Sequence, residues 1–203
     1  MRYASCWLNV SNTDLALPDA EIRYQDDFLG PAEADQLMQT LLDEISWRQD
    51  RIRLFGREHL IPRLQAFQSD PGIHYTYSGL RLAGDDWHPA LAALKARLDQ
   101  TCNTRFNALL LNLYRDGQDA MGWHADNERE LGHNPVIASI SLGAERRFRL
   151  RHNQSRDTHS LPLAHGSLLL MAGPTQHYWQ HSLPRSKPCR QPRINLTFRF
   201  IHV

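Results

Sequence analysis

Cysteine is scarce in this chain: Cys6, Cys102 and Cys189 stand far apart among 203 residues and form no Cys-x-x-Cys pair. That excludes a disulfide framework and suits a reducing cytoplasm, where we expect the protein to work. Long apolar runs are also missing. None approaches the roughly 20 residues a membrane helix needs, and residues 1–12 lack the apolar centre of a secretion signal, so no membrane partner is expected. An excess of one charge is absent too. The 23 Lys+Arg and 22 Asp+Glu leave a formal net charge of +1, so any basic surface must be local. No internal repeat or low-complexity segment is present, and no convincing Ser/His/Asp or Cys/His set offers a protein nucleophile.

What is there fits one domain with a sizeable core. Residues 1–20 read as a loose lead-in. Helical spacing of Leu37, Leu41, Leu42 and Ile45 predicts an amphipathic helix over 31–46, with Pro31 in its first turn. Pro89 opens a second, over 89–102, with Leu91, Leu94 and Leu98 on one face. Residues 47–57 read as strand and turn, 62–72 as irregular, and 75–80 as a ring-rich strand. From residue 106 the texture is β, with strands expected at 107–114, 136–142, 146–152, 167–171, 178–182 and 193–201 and polar loops at 128–135, 151–161 and 184–192. The sum is mainly β with supporting helices (α+β): a double-stranded β-helix, or cupin-type jelly roll, over 106–203, with N-terminal helices outside the sheet.

Within that frame His124 and Asp126 form a His-x-Asp pair at a strand end. Two side chains two residues apart on extended backbone point the same way and can share one metal ion. Two His and one carboxylate on one face of the ion are the ligands of non-haem Fe(II) oxygenases, which leave positions open for cosubstrate and O₂. His181 supplies the second His, with His177 as its nearest rival. Zinc would accept the same three ligands. The last strand carries Arg193, Asn195, Thr197 and Arg199 on one face and Ile194, Leu196, Phe198 and Phe200 on the other. If the polar face points inward, its two guanidinium groups need anions. With Asp126 committed to the metal, a dicarboxylate such as 2-oxoglutarate would meet both, aided by hydrogen bonds from Asn112 and Tyr114. The competing reading is a polar outer face on an edge strand.

Together, Asn112-x-Tyr114, Trp123-His-Ala-Asp126, Pro162-Leu-Ala-His-Gly-Ser167, His181-Ser-Leu-Pro184 and Arg193-x-Asn-x-Thr-x-Arg199 resemble the AlkB family of Fe(II)/2-oxoglutarate dioxygenases, most closely its duplex-DNA repair branch. The resemblance runs from about residue 50 to the end. It implies His124, Asp126 and His181 as metal ligands and Asn112, Tyr114, Arg193, Asn195, Thr197 and Arg199 as the 2-oxoglutarate site. Arg193 would take the distal carboxylate and Arg199 the iron-bound end. It also implies a nucleotide-recognition lid over 47–80. Tyr75, Thr76 and Tyr77 resemble the lesion-binding segment, where a flipped base stacks on a ring; two core tyrosines are the alternative. Asn127 and Glu128 would read the base edge, with an amide at 127 where related sequences tend to carry an acid. Phe55, Gly56 and Arg57 resemble a hairpin that probes the base stack, and Phe55 as a core residue is the alternative. Arg51, Arg53, Arg57 and Arg63, like Arg185, Lys187 and Arg190, would hold phosphates or simply face water. Arg146, Arg147, Arg149 and Arg151 have no assignment. The implied activity is oxidative demethylation of bases such as 1-methyladenine and 3-methylcytosine in DNA, duplex before single-stranded, by a monomer using Fe(II), 2-oxoglutarate and O₂. The rival readings are a dioxygenase acting on RNA, free nucleotides or protein, a non-enzymatic nucleic-acid-binding jelly roll, and a zinc hydrolase.

Overall fold

The computed structural model describes residues 13–54, 57–77 and 80–202. In chain order the elements are β1 (Thr13–Leu15), β2 (Glu21–Gln25), α1 (Pro31–Glu44), β3 (Arg51–Leu54), β4 (Arg57–Leu60), β5 (Leu64–Ser69), β6 (His74–Tyr77), β7 (Leu80–Ala83), α2 (Pro89–Thr101), β8 (Ala108–Tyr114), β9 (Met121–His124), β10 (Ile137–Gly143), β11 (Arg146–His152), β12 (Thr158–Leu163), β13 (Ser167–Ala172), the one-turn α3 (Thr175–Tyr178), β14 (Trp179–Leu183) and β15 (Arg193–Arg199). A seven-stranded sheet runs β1-β2-β13-β10-β15-β8-β5, and a four-stranded sheet runs β12-β11-β14-β9. The two face each other as the halves of a double-stranded β-helix. Hairpins β3–β4 and β6–β7 form separate two-stranded sheets.

Alternation along the large sheet explains its two faces. Leu109, Leu111 and Leu113 of β8, Ala138, Ile140 and Leu142 of β10, and Ile194, Leu196 and Phe198 of β15 meet Leu41 of α1 and Leu91 and Leu98 of α2 in one core. Successive strand residues point to opposite sides, so the intervening residues face the small sheet. There Leu110, Ile137, Leu169 and Met171 meet Phe148 and Leu150 of β11 and Trp179 of β14 in a second core. Each fully buried leucine contributes about 1.5–3 kcal/mol, enough to define which face is which. Pro31 and Pro89 sit in the first turns of their helices, where a missing N–H costs nothing.

Several segments differ from the sequence expectation, β7 and β9 among them. Residues 64–69, expected to be irregular, form β5, paired along β8 from Leu64↔Leu113 to Ser69↔Ala108. Gln65, Gln68 and Ser69 are buried there and hide the apolar alternation. Their polar atoms find remote partners: Gln65 Nε2 donates to Asp50 Oδ2 at 2.6 Å, and Gln68 Oε1 accepts from the His88 N–H at 3.0 Å. The expected loop 151–161 is a short turn followed by β12, whose half-exposed residues show a weak pattern. Inside the expected lead-in, Thr13–Leu15 pairs with β2. Among the described residues no helix is long and apolar enough to cross a membrane.

Candidate metal centre and cosubstrate cradle

β9 and β14 are neighbours in the small sheet, and their register sets His124 directly opposite His181. Their rings lie 4.2 Å apart, edge to face. Asp126 follows two residues after His124, and one ligand atom from each of the three side chains lies within 4.8 Å of the others. Among the described residues this is the only such group of three or more His, Cys, Asp or Glu. His177, the rival third ligand, is not in it: its Nε2 contacts Asn134 Oδ1 at 2.9 Å.

Donor chemistry favours a cation at this spot. His124 Nδ1 lies 2.9 Å from the Gly122 carbonyl oxygen. It can only donate to that oxygen, so Nε2 keeps its lone pair. Burial, then the neighbouring His124, push His181 down to about 3, making it a neutral imidazole at ordinary pH. Burial likewise lowers His124. For Asp126 burial acts upward, but Arg199 and the two histidines outweigh it and bring the carboxyl to about 2. Arg199 Nη2 donates to Asp126 Oδ1 at 2.8 Å. The other oxygen, Oδ2, is buried with no hydrogen-bond partner among the described residues. A buried carboxylate oxygen so left is costly, and a metal ion between it and the two imidazoles would satisfy it.

The neighbouring wall is the inner face of β8, β15 and β10. Register places Arg193 opposite Tyr114, Asn195 opposite Asn112, and Thr197 opposite Ser139. All six residues expected to hold the cosubstrate (Asn112, Tyr114, Arg193, Asn195, Thr197 and Arg199) line one cavity, together with His124, Asp126 and His181. The inward direction of the polar face of β15 therefore holds. The pairing of its arginines does not hold as expected. Arg199 already has an anionic partner, because Asp126 offers one oxygen to it and one to the metal position. Arg193 is 2% exposed and bonds to Ser141 Oγ at 2.9 Å, and its Nε has no partner among the described residues. Burial above all, with Arg146 nearby, brings its guanidinium down to about 10. A carboxylate ligand would supply what Arg193 lacks.

Beside these, Asn195 Nδ2 donates to Ser139 Oγ at 2.8 Å and Thr197 Oγ1 to Asn195 Oδ1 at 3.0 Å. Ser139 and Ser141 were not singled out in the sequence; their i, i+2 spacing on a strand was the available signal. Arg146, unassigned in the sequence, is buried and bonds to the carbonyls of Asp116, Asp119 and Pro184. It fastens the two segments that follow β8 and β14, and its guanidinium lies 6.0 Å from the Tyr114 ring centroid, with Arg193 at 5.4 Å from the same ring. Arg149 and Arg151, on the outer face of the small sheet, lie over the Trp123 ring at 5.5 and 4.4 Å.

Of the residues expected to meet substrate, Arg63 departs from its surface role. It is buried, and its Nε donates to Asn112 Oδ1 at 2.7 Å, so it orients that side chain. Asn127 is exposed and Glu128 half-buried, immediately after Asp126. Arg57 begins β4, and Tyr75, Thr76 and Tyr77 lie on β6. Phe55 and Gly56 lie outside the described residues. Arg185, Lys187 and Arg190 are exposed on the segment between β14 and β15.

Comparison with known proteins agrees with this architecture. Residues 21–199 match the 2OG-Fe(II) oxygenase superfamily. Human DNA oxidative demethylase ALKBH2 is 44% identical over 183 residues, covering 85% of this chain and 70% of the relative. The bovine protein of the same name is 45% identical, with 66% of its length covered. Human alpha-ketoglutarate-dependent dioxygenase alkB homolog 3 is 38% identical over 188 residues, 86% of this chain and 64% of that one. The chain thus spans about two thirds of the length of these relatives. A solved structure of OsALKBH1 superposes with a TM-score of 0.62 over 88% of this chain and 97% of its own, at 16% identity, a likeness of fold.

Proposed function

Because the chain belongs to the 2OG-Fe(II) oxygenase superfamily, we propose that it removes alkyl groups oxidatively from damaged bases in DNA. The observation that carries the reading is one cavity holding both a His-Asp-His cluster and a buried arginine without a carboxylate. A zinc hydrolase gives no reason for the second feature, and a simple binding protein gives no reason for the first. Relatives over most of the chain are named DNA oxidative demethylases, which supports DNA as the substrate.

In this reading His124, Asp126 and His181 hold Fe(II). Arg193 takes the distal carboxylate of 2-oxoglutarate, and Arg199 stands at the metal-side end while restraining Asp126. Asn112, Tyr114, Asn195 and Thr197 complete the cradle. When bound, Fe(II) with 2-oxoglutarate and O₂ supplies the oxidation that turns an N-methyl group into a hydroxymethyl group, with succinate and CO₂ as co-products; the base then releases formaldehyde. The chain's own work is to position the groups and exclude water. Ser141 aims Arg193, and Arg63 aims Asn112. Asn127 and Glu128 read the base edge beside Asp126. The 47–80 region receives the base, with Tyr75, Thr76 and Tyr77 as its wall. Phe55, Gly56 and Arg57 fill the gap in the stack, which makes duplex DNA the preferred form. A methylated pairing edge favours extrusion, because the damaged pair costs less to open. The unit is a monomer in the cytoplasm.

The test is turnover of 1-methyladenine in a single-stranded oligonucleotide, a duplex and an RNA, with formaldehyde and repaired base followed together. Repair of DNA with duplex ahead is the expected result. RNA repaired faster than either DNA would move the substrate, and no repaired base in any of the three would overturn the reading.

A further inference from the structure

Asp126 must present one oxygen to Arg199 and the other to the metal position, yet it stands on no ladder. β9 ends at His124 and the next short helical turn begins at Arg129, so residues 125–128 have no regular secondary structure. The Asp126 backbone N–H is buried, and a buried N–H must find an acceptor. It donates to Gln176 Oε1 at 2.9 Å, across 50 residues of sequence. Gln176 is itself 1% exposed, and its Nε2 lies 3.6 Å from Met171 Sδ, a weak acceptor that fixes which way the amide faces. The turn beneath it is anchored in its own right. Thr175 Oγ1 donates to the Ala172 carbonyl at 2.6 Å and accepts the Glu21 N–H at 2.9 Å. A continuous set of bonds therefore runs from β2 through Thr175 and Gln176 to the peptide of Asp126.

We propose that Gln176 is a positioning residue for the metal centre: it holds the Asp126 peptide so that the carboxylate divides its oxygens between Arg199 and the ion. It touches neither the ion position nor the cosubstrate cradle, and it acts through Asp126. The proposal rests on the metal site described above. Outer partners of metal ligands typically account for 10–100-fold in metal affinity, and a leucine at 176 would remove the acceptor while keeping most of the volume. A glutamate would restore an acceptor oxygen at the same reach.

The experiment is anaerobic titration of the full chain with Mn(II), with the melting temperature of the metal-free protein recorded alongside. Gln176→Leu is expected to weaken Mn(II) binding about 10–100-fold, and Gln176→Glu to recover most of that loss. Thr175→Val, which unfastens the turn but leaves Gln176, is expected to show a smaller loss and serves if the leucine variant does not fold. Unchanged Mn(II) affinity in Gln176→Leu, or in Thr175→Val should that variant stand in, would overturn the proposal. So would equal losses in Gln176→Leu and Gln176→Glu accompanied by equal falls in melting temperature, since packing alone would then explain both. Wild-type protein that binds no Mn(II) would overturn the metal reading itself, an outcome distinct from binding that is indifferent to residue 176.

Discussion

The inner face of β8 and β15 and the hairpins β3–β4 and β6–β7 serve the same proposed reaction but are held in different ways. On the inner face each polar side chain stands on a strand paired on both sides: β15 lies between β10 and β8, and β8 between β15 and β5. Its opposite face is locked into the helices through Ile194, Leu196 and Phe198. A one-residue slip would turn every one of these side chains over, so the cradle inherits its geometry from the core. The hairpins pair only within themselves as sheets and meet the body through the bridges Arg48↔Gln65 and Gln68↔Asp85 near their ends. Chemistry that needs sub-ångström placement sits on the first kind of support. The proposed recognition of DNA falls on the second.

The predictions probe that contrast. The largest effect belongs to the proposed metal ligands. Asp126→Ala and His181→Ala should each abolish metal-dependent turnover, and Asp126→Ala should also lower stability by about 3–5 kcal/mol because it breaks the buried Arg199–Asp126 pair. Activity assays and denaturant unfolding read the two effects separately. Next comes Arg193→Met. Truncating one member of a buried charged pair costs about 2–5 kcal/mol, so the KM for 2-oxoglutarate should rise by about two orders of magnitude or more. Ser141→Ala, which removes only the orienting bond to Arg193, should raise it several-fold. If the hairpins govern recognition alone, Phe55→Ala should lower duplex repair several-fold more than single-strand repair and leave the 2-oxoglutarate KM unchanged; equal losses on both forms would remove the stack-probing role. The smallest effect is expected at the Arg51–Glu58 pair, 3.7 Å apart with both side chains more than 60% exposed. Such surface pairs contribute about 0–1 kcal/mol, so Glu58→Gln should leave the melting temperature nearly unchanged. A thiol probe separates core from surface in the same spirit. Burial, with Asp99 nearby, raises the Cys102 thiol to about 12, so iodoacetamide at pH 8 should modify half-exposed Cys189 and spare Cys102 until the protein unfolds.

Much of the first region could be read from the residues alone, and the reason is period. Arg193, Asn195, Thr197 and Arg199 alternate with large apolar residues, a pattern a two-faced strand imposes and few other structures produce. The His124-x-Asp126 spacing marks the metal pair, although β9 ends at His124 and Asp126 lies just beyond the strand, and both helices announce themselves by apolar spacing and an opening proline. Features that depend on a distant partner stayed hidden. Gln65 and Gln68 look like loop residues until Asp50 and the His88 backbone satisfy their amides. Arg63 and Arg146 sit in runs of arginine that read as surface, yet each is buried against a partner about 30 to 50 residues away. Gln176 carries no local signal at all, since its meaning lies in the peptide of Asp126. Nothing in the local sequence shows that Asp126 gives one oxygen to Arg199 and keeps the other without a hydrogen bond among the described residues.

The most direct test of the central claim is a stoichiometry. Wild-type protein and Asp126→Ala would be given Fe(II), 2-oxoglutarate and a duplex bearing one 1-methyladenine in air, and succinate, formaldehyde and repaired base would be counted. Repair with one succinate and one formaldehyde per restored adenine, all absent from the variant, is the predicted result. Adenine restored without 2-oxoglutarate, or at an undiminished rate in Asp126→Ala, would contradict it.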